Sequence, residues 1–520
     1  MRVRVAGALA GIASATVALG VAELVAVATG PRSAPLVAVG GVVVDTVPEP
    51  LKQFAIDLFG VHDKTALLAG TVVLLAAFAA AIGVLSVRSF RYGVAGIALF
   101  GIVGVAAALT RPNAGPTAAL PSLVGAAVAG GVLWALTAGR LGFDPRAADS
   151  RPALGEQPTP DARPRTGEDR RRFLTGVAAA LGGALVAGFG GRLLSTRRDV
   201  SAAREAVTLP APASPAPPVP ADADAGVDGL ASYVTGNRQF YRIDTALVVP
   251  QVDPRGWRLR VHGRVRNPFT ITYDELLRRP MVERYVTLAC VSNEVGGDLI
   301  GNARWLGVPM KEILDEAEPL AGADQVVGRS ADGWTCGTPT AALRDGRDAL
   351  LAVGMNGEPL PVAHGFPVRM VVPGLYGYVS ACKWIVELEL SSFDDFDAYW
   401  VPRGWAQQAP IKTQSRIDTP RGGRVGVGQA TVAGVAWAQH RGIAKVEVRV
   451  DDGPWMEATL AGTVSVDTWR QWSWRWQATP GEHRLTVRAT DLGGVTQTDQ
   501  SRPPAPDGAT GWHSVYVTAR

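Results

Sequence analysis

Five stretches in the first 191 residues constrain this chain more than anything else in it, because each is long, apolar and almost free of charge. They are residues 5–28, broken only by Glu23, then 65–87, 92–110, 117–139 and 173–191. A bilayer core of about 30 Å takes roughly 20 residues of helix, and soluble domains seldom hold uncharged runs of that length. The reading is a bundle of about five transmembrane spans. Residues 35–47 are apolar but too short to span, which suits an interfacial or re-entrant piece. With 47% hydrophobic and 19% charged residues and a mean hydropathy of +0.12, the chain is neither disordered nor typical of a wholly soluble protein.

The arginines give an orientation. Arg2 and Arg4 precede the first run, Arg88 and Arg91 follow the second, and Arg140, Arg146, Arg151, Arg163, Arg165 and Arg170 to Arg172 lie between the fourth and fifth. Placing these inside leaves everything after residue 192 outside, with Arg192, Arg197 and Arg198 opposing that arrangement. Arg170-Arg171-Arg172-Phe173-Leu174 resembles a twin-arginine export signal, a route that carries folded proteins, although a plain stop-transfer cluster has the same composition. The basic excess, a formal charge of +4, sits mainly in this loop. With no basic stripe carrying interleaved aromatics, nucleic-acid binding is excluded.

After an Ala/Pro-rich segment at 193–229, read as a stiff linker of polyproline character, the pattern becomes that of a soluble protein. Residues 230–400 mix strand-like alternation (257–265, 368–372, 384–390) with short helical patches (273–278, 310–317), an α+β domain. From 401 to 520, short alternating runs (444–450, 472–476, 483–489) are punctuated by turns. This predicts an immunoglobulin-like sandwich lacking paired cysteines. Its Trp-rich run, 469–476, is expected to pack the sandwich core, a carbohydrate-binding face being the sharper alternative.

Two places carry candidate chemistry. Cys290 closes a strand-like run and opens the loop to Gly296-Gly297; its thiolate would be a soft ligand for a transition metal, although a buried inert thiol reads the same. His364-Gly365-Phe366-Pro367-Val368-Arg369, a glycine-rich turn and Lys383-Trp384 offer a His and two cations around exposed backbone N–H groups. That arrangement suits an anion, or an ordinary strand with surface cations. No CxxC, HExxH or CxxCH accompanies them, so zinc, iron–sulfur and c-type haem lack support. Cys336 and Cys382 read as inert core thiols, as pocket thiols, or as a pair in an oxidising compartment.

Together these segments, with Gly301-Asn302-Ala303-Arg304-Trp305-Leu306-Gly307-Val308 and Gly354-Met355-Asn356-Gly357-Glu358-Pro359-Leu360, resemble the sulfite oxidase family of molybdopterin enzymes. Gly434-Val435-Ala436-Trp437, Trp469-Arg470-Gln471-Trp472, Arg488-Ala489-Thr490-Asp491 and Gly511-Trp512-His513 resemble that family's dimerisation domain. The likeness runs from about 230 to 520. It implies molybdenum held by molybdopterin, with Cys290 as the one protein ligand. Asn237, Phe240, Tyr241 and Arg242 would enter the pterin pocket, His364, Arg369 and Lys383 would hold pterin and phosphate, and the loop from Gly374 to Gly377 would add backbone contacts. A tyrosine closes the pocket in this family, and Tyr399 is the candidate here, set against an aromatic packed at the domain junction.

The resemblance also implies oxygen-atom transfer to or from a small sulfur-containing substrate, electrons passing to a separate carrier (cytochrome, copper protein or quinone), and a homodimer. Departures touch the substrate. Asp244, Thr245 and Ala246 stand where sulfite oxidases of animals and plants carry Arg-Asn-His, and ValSerAsnGlu follows Cys290 without the usual basic residues. A carboxylate facing a sulfite dianion is unfavourable at low dielectric; Arg304 is a possible substitute cation. The fold class expected is therefore multi-domain: an α-helical transmembrane bundle, an α+β sulfite-oxidase-like molybdopterin domain, and an all-β immunoglobulin-like sandwich. The chain would be a multi-pass cell-membrane protein with an extracytoplasmic catalytic part. The alternatives are an S-oxide or N-oxide reductase, and a cofactor-less membrane-tethered binding or adhesion module.

Overall fold

A computed structural model describes residues 3–48, 51, 54, 58–59, 63–111, 114–137, 166–196 and 199–520. Arg2, the basic residues from Arg140 to Arg165, and Arg197 and Arg198 lie outside them. The chain forms two compact units, Met1–Asp199 with Thr245–Val249, and Val200–Asp244 with Pro250–Arg520.

Every one of the five apolar runs is helical. The first unit comprises α1 (Val3–Thr29), α2 (Pro35–Thr46), α3 (Asp63–Arg88), α4 (Phe90–Leu109), α5 (Leu120–Thr137) and α6 (Thr166–Thr196). Five helices are long and apolar enough to cross a membrane, while α2 is a short apolar helix. Small residues set the packing. A Cβ at Gly11 would stand 1.9 Å from Ala79 O, and one at Gly83 2.0 Å from Gly7 O, so α1 and α3 touch backbone to backbone. Apolar association in lipid has no hydrophobic drive and relies on such close approach. Apolar side chains such as Val73, Leu74, Ile102 and Val186 are exposed. Arg111 and Asp45 pair at 2.8 Å.

The second unit begins with α7 (Ser201–Glu205), α8 (Tyr273–Leu277) and α9 (Met310–Ala317) around two sheets. The strands are β1 (Arg258–Gly263), β2 (Phe269–Thr272), β3 (Val282–Ala289), β4 (Ile300–Pro309), β5 (Gln325–Ser330), β6 (Thr335–Pro339), β7 (Leu350–Met355), β8 (Glu358–Pro359), β9 (Arg369–Val371) and β10 (Ile385–Ser391). One sheet runs β2-β1-β10-β5-β6, the other β3-β4-β7-β8 with β9 paired to β7. The β1–β10 pair is parallel and is tied by Trp257 Nε1–H donating to Ile385 O at 2.7 Å. Thr272 and Glu275 form a reciprocal capping box that starts α8. The amphipathic α9 turns Met310, Ile313, Leu314 and Ala317 inward.

Two further sheets form a sandwich with strands at β-sandwich spacing: β11 (Gln414–Thr419), β12 (Arg424–Val425), β13 (Gly428–Trp437), β14 (Ile443–Val450), β15 (Met456–Glu457), β16 (Thr459–Leu460), β17 (Arg470–Ala478), β18 (Gly481–Asp491) and β19 (His513–Ala519). Their orders are β11-β13-β17-β16 and β12-β19-β18-β14-β15. Trp472 and Trp476 of β17 are buried between the sheets with Val446, Leu485 and Val517, and the half-buried Trp474 packs against the same core. The Trp-rich run is therefore core and not a carbohydrate face.

Two arrangements differ from what the sequence patterns suggest. The sandwich is not a separate bead, because Ile411, Val435, Trp437 and Trp469 belong to the core of the preceding α+β part. Residues 201–229 are mostly extended, yet they are docked. Ser214 bridges to Val282, Ala223 is fully buried, and the Arg204 guanidinium bonds Leu360 O and Pro359 O at 2.8 and 2.6 Å. A proline-rich extended strand leaves its remaining backbone groups unpaired, and the edge of β3 takes them up.

Candidate functional site

Antiparallel pairing of β3 with β4 brings Ala289 opposite Ile300, so the chain leaves the sheet at Cys290. The Cys290 N–H still donates to Leu299 O at 2.9 Å, and Asn293 N–H turns back to Cys290 O at 3.1 Å. Cys290 is a free, buried thiol. Burial pushes its pKa up, while N–H groups of Ser292 and Val291, the Ser292 hydroxyl and the charge of Lys383 pull it down. These donors aim at sulfur, so they stabilise a thiolate once a metal offsets the cost of burial.

The loop after the cysteine is clamped. Asn293 Oδ1 accepts from Leu299 N at 2.8 Å, whereas its Nδ2 is buried without a partner among the described residues. Gly296 has φ +81, and a Cβ there would lie 2.2 Å from His513 Cδ2. Arg416 Nη1 donates to Gly297 O at 2.7 Å, and Ile417 N–H donates to His513 Nδ1 at 2.9 Å. Arg416 and His513 come from the sandwich, more than a hundred residues away; His513 stands in the Gly511-Trp512-His513 motif, whereas no local pattern marks Arg416.

Three basic side chains converge on the same region. A 3₁₀ turn at Val362–His364 ends in Gly365 at φ +112; a Cβ there would crowd Arg369 Cβ and Lys383 Cα at 3.0 and 3.2 Å. The His364 ring donates from Nε2 to Asn237 O at 3.0 Å, and Arg369 Nη1 donates to His364 O at 3.0 Å. The buried Arg369 guanidinium lies 5.0 Å from the Trp305 ring. Lys383 Nζ donates to Asp244 Oδ2 at 2.8 Å and to Ile243 O at 3.1 Å.

Burial lowers all three pKa values. His364 is pushed down to about 4, with Arg369 and Lys383 adding to the effect. Arg369 is lowered to about 10 and Lys383 to about 8, the latter against the pull of Asp244.

The N-terminal segment closes one side. Phe240 stacks on Tyr241 with ring centroids 5.2 Å apart and meets Trp305 and His364 edge-on, each at 5.7 Å. Asn237 Nδ2 donates to Met355 O at 3.3 Å and to Glu358 Oε1 at 2.5 Å, and Arg242 Nε pairs with Asp244 at 2.9 Å. Asp244 is thus not a carboxylate confronting an anion: it is buried and engaged by Arg242 and Lys383. Arg304, the possible substitute cation, pairs with Glu283 at 3.2 Å.

Tyr399, the candidate for closing the pocket, has two close neighbours. Tyr399 stacks edge-on with Trp400 at 5.1 Å, and the Arg403 guanidinium covers its ring at 3.8 Å. The tyrosines electrostatically coupled to Cys290 are Tyr241 and Tyr376. Burial raises both pKa values, that of Tyr376 to about 12, so each keeps its O–H at neutral pH. Sequence reading took Tyr241 only as part of the pterin-side segment and missed Tyr376, although it stands within the glycine-rich turn already singled out. Cys336 and Cys382 are free, fully buried thiols; Cys336 Sγ faces Met370 Sδ at 4.0 Å and Cys382 Sγ faces Lys383 O at 3.8 Å.

The site's chemistry fits an anionic group beside a thiolate ligand. Arg369 forms no salt bridge among the described residues, and a buried guanidinium without a carboxylate is costly unless an anion arrives. At Gly377 a Cβ would project into space bounded by Ala289 O and Ala381 Cβ at 3.7 Å and Tyr241 Oη at 3.9 Å, a cradle that the bare backbone leaves open.

Comparison with known proteins agrees. Residues 246–400 match the oxidoreductase molybdopterin binding domain, and residues 414–487 match a bacterial Ig domain. Mitochondrial sulfite oxidase of Mus musculus is 31% identical over 339 residues, 55% of this chain and 61% of that one. Sulfite oxidase of Gallus gallus is 30% identical over 324 residues, 52% of this chain and 69% of that one. The protein-methionine-sulfoxide reductase catalytic subunit MsrP of Burkholderia mallei is 32% identical over 283 residues, 49% of this chain and 78% of that one. The match spans about three-fifths of the mammalian sulfite oxidases.

Proposed function

Because this chain belongs to the sulfite oxidase family of molybdopterin oxidoreductases, we propose that it is a membrane-anchored enzyme moving an oxygen atom to or from a small sulfur compound. The observation that carries this is the buried guanidinium of Arg369, without a carboxylate partner among the described residues, in one cluster with His364, Lys383 and the thiol of Cys290. Cys290 would ligate molybdenum. His364, Arg369 and Lys383 would hold the pterin and its phosphate, with Asn237, Phe240, Tyr241 and Arg242 lining the same pocket. When bound, the cofactor supplies oxygen-atom transfer coupled to two electrons.

The protein's own contribution is positional and electrostatic. Asp244 keeps Lys383 charged against burial, the Ser292 and Val291 N–H groups hold the sulfur, and the wall formed by Phe240, Trp305 and Tyr241 excludes water. Tyr241, whose hydroxyl burial keeps protonated, would offer an O–H donor on the Cys290 side of the pocket. Tyr399, beside Trp400 and under the Arg403 guanidinium, would be the tyrosine that closes the pocket.

An S-oxide substrate is favoured over sulfite by one feature. The loop after Cys290 carries Glu294 and no cation before Arg304, whose guanidinium is taken by Glu283. A neutral S-oxide needs no second cation there, and the relative from Burkholderia mallei is named for that reaction. The decisive assay gives the purified full-length protein methionine sulfoxide with a reduced viologen, and sulfite with ferricyanide. Turnover of either with about one molybdenum per chain supports the class, and the substrate with the higher kcat/KM sets the direction. A metal-free, inactive protein from a host that makes the cofactor would instead support a binding or adhesion module.

Five apolar helices and the distribution of arginines support a multi-pass anchor with the second unit extracytoplasmic, and Arg170 and Arg171 support twin-arginine export. The immunoglobulin-like sandwich supports a homodimer. The electron partner would be a cytochrome, a copper protein or a quinone.

A further inference from the structure

Inside the helical unit, between α1, α2, α3, α4 and α5, lies a cavity of about 180 Å³. That is an order of magnitude above the roughly 10–15 Å³ that admits a water, in an interior that is otherwise packed tightly enough for backbones to touch. Its walls include Leu19, Ile82, Phe100, Ala126 and Leu133, and no lining residue is charged. Water gains nothing from such walls, so an apolar guest is the stable occupant.

Three hydroxyl side chains reach the lining. Two are satisfied by their own helices: Ser14 Oγ donates to Ala10 O and Thr71 Oγ1 to Leu67 O, each at 2.8 Å. The third, Ser122, is 6% exposed, and its Oγ has no partner among the described residues. A buried hydroxyl left unpaired is destabilising, and a guest with a hydrogen-bond acceptor would relieve it.

We propose that this cavity binds the ring of a membrane quinone, with one quinone carbonyl accepting from Ser122 Oγ and the apolar ring lying among Phe100, Ile82 and Leu133. A phospholipid headgroup fits worse, because it brings a phosphate and no lining cation meets it. The choice of a quinone among apolar carbonyl compounds rests on the oxygen-transfer reading. That chemistry releases or consumes two electrons, and a quinone and its quinol interconvert by two electrons and two protons. The three cysteines lie at 290, 336 and 382, none of them in a CxxCH motif.

The test uses the full-length protein in nanodiscs of saturated phosphatidylcholine, with a decyl-substituted benzoquinone as probe. Expected are saturable binding near one per chain, a dissociation constant raised about 3- to 10-fold by Ser122→Ala, as the loss of one neutral hydrogen bond predicts, and binding abolished by Ala126→Phe, which fills the space. Ser122→Ala removes one atom, so folding of that variant is secure even where Ala126→Phe is not. Non-saturable partitioning, binding outcompeted by the nanodisc lipid, or an affinity unchanged by Ser122→Ala would overturn the proposal. Repeating the titration on Cys290→Ser separates the two readings: quinone binding that persists without molybdenum upholds the site whatever becomes of the enzyme assignment.

Discussion

Lys383 and Asp244 form an ion pair at 2.8 Å, with 11% and 6% of their side chains exposed, between residues 139 positions apart. The lysine's pKa nevertheless falls to about 8, so burial outweighs the carboxylate. An anion held by this lysine is held fully below pH 8 and progressively less above it. In Asp244→Asn the opposing pull is gone, the pKa drops further, and molybdenum retention should begin to fail at lower pH than in the wild type. Metal content after dialysis across pH 6.5–9 measures this; coincident curves for the two proteins would sink the idea.

Arg369→Met should act in opposite directions on the two forms of the protein. Without cofactor it removes a buried charge that lacks a carboxylate, so the melting temperature should hold or rise. With cofactor it deletes a charge-assisted contact of about 1.5–3 kcal/mol, and retained molybdenum should fall roughly tenfold or more. A lower melting temperature in the metal-free variant would mean that Arg369 is a structural residue.

Cys290→Ser keeps the shape of a buried side chain and removes the soft ligand. Turnover should fall at least about 10³-fold, roughly 4 kcal/mol of barrier, with little change in melting temperature. Wild-type activity in this variant would remove Cys290 from the chemistry.

Gly296→Ala tests the clamp from the sandwich. The new Cβ meets the His513 ring at a backbone angle L-residues avoid, so a loss of about 1–3 kcal/mol is expected. Adding His513→Ala should restore part of it, because only the steric component is relieved. Strict additivity in the double mutant would mean that the two residues do not bear on each other.

What could be read from the sequence divides along a physical line. Apolar runs, the β10 and β18 alternations and the α9 amphipathic face are local periodicities; β10, β18, α9 and the first three apolar runs fold within a residue or two of the expected span, while α6 extends beyond its run by seven residues at one end and five at the other. Cys290, His364, Arg369 and Lys383 stand out in the sequence because short motifs carry them, and the structure brings the last three together. Asp244 was misjudged because its partner Lys383 arrives from another element. Tyr376 and Arg416 were missed, and His513 was read only within a C-terminal motif, because their relation to the loop around Cys290 exists only after strands far apart in sequence pack together. The same holds for the sandwich: with Trp437 and Trp469 inside the shared core, deleting it would unfold its neighbour and would not report cleanly on dimerisation.

His364 makes the acid side of the stability curve testable. Its folded pKa is about 4, below the roughly 6.5 of an unperturbed histidine. Between those values the unfolded chain binds more protons than the folded one, so stability falls as pH drops from 6.5 toward 4. Burial causes the shift, and Arg369 and Lys383 reinforce it by opposing a third positive charge. His364→Gln keeps a donor for Asn237 O without a titrating ring, so its melting temperature should decline less over that window than the wild type's. Followed by tryptophan fluorescence from pH 7 to 4.5, parallel declines would show that another group sets the acid sensitivity. Retained molybdenum in the same samples separates loss of fold from loss of cofactor.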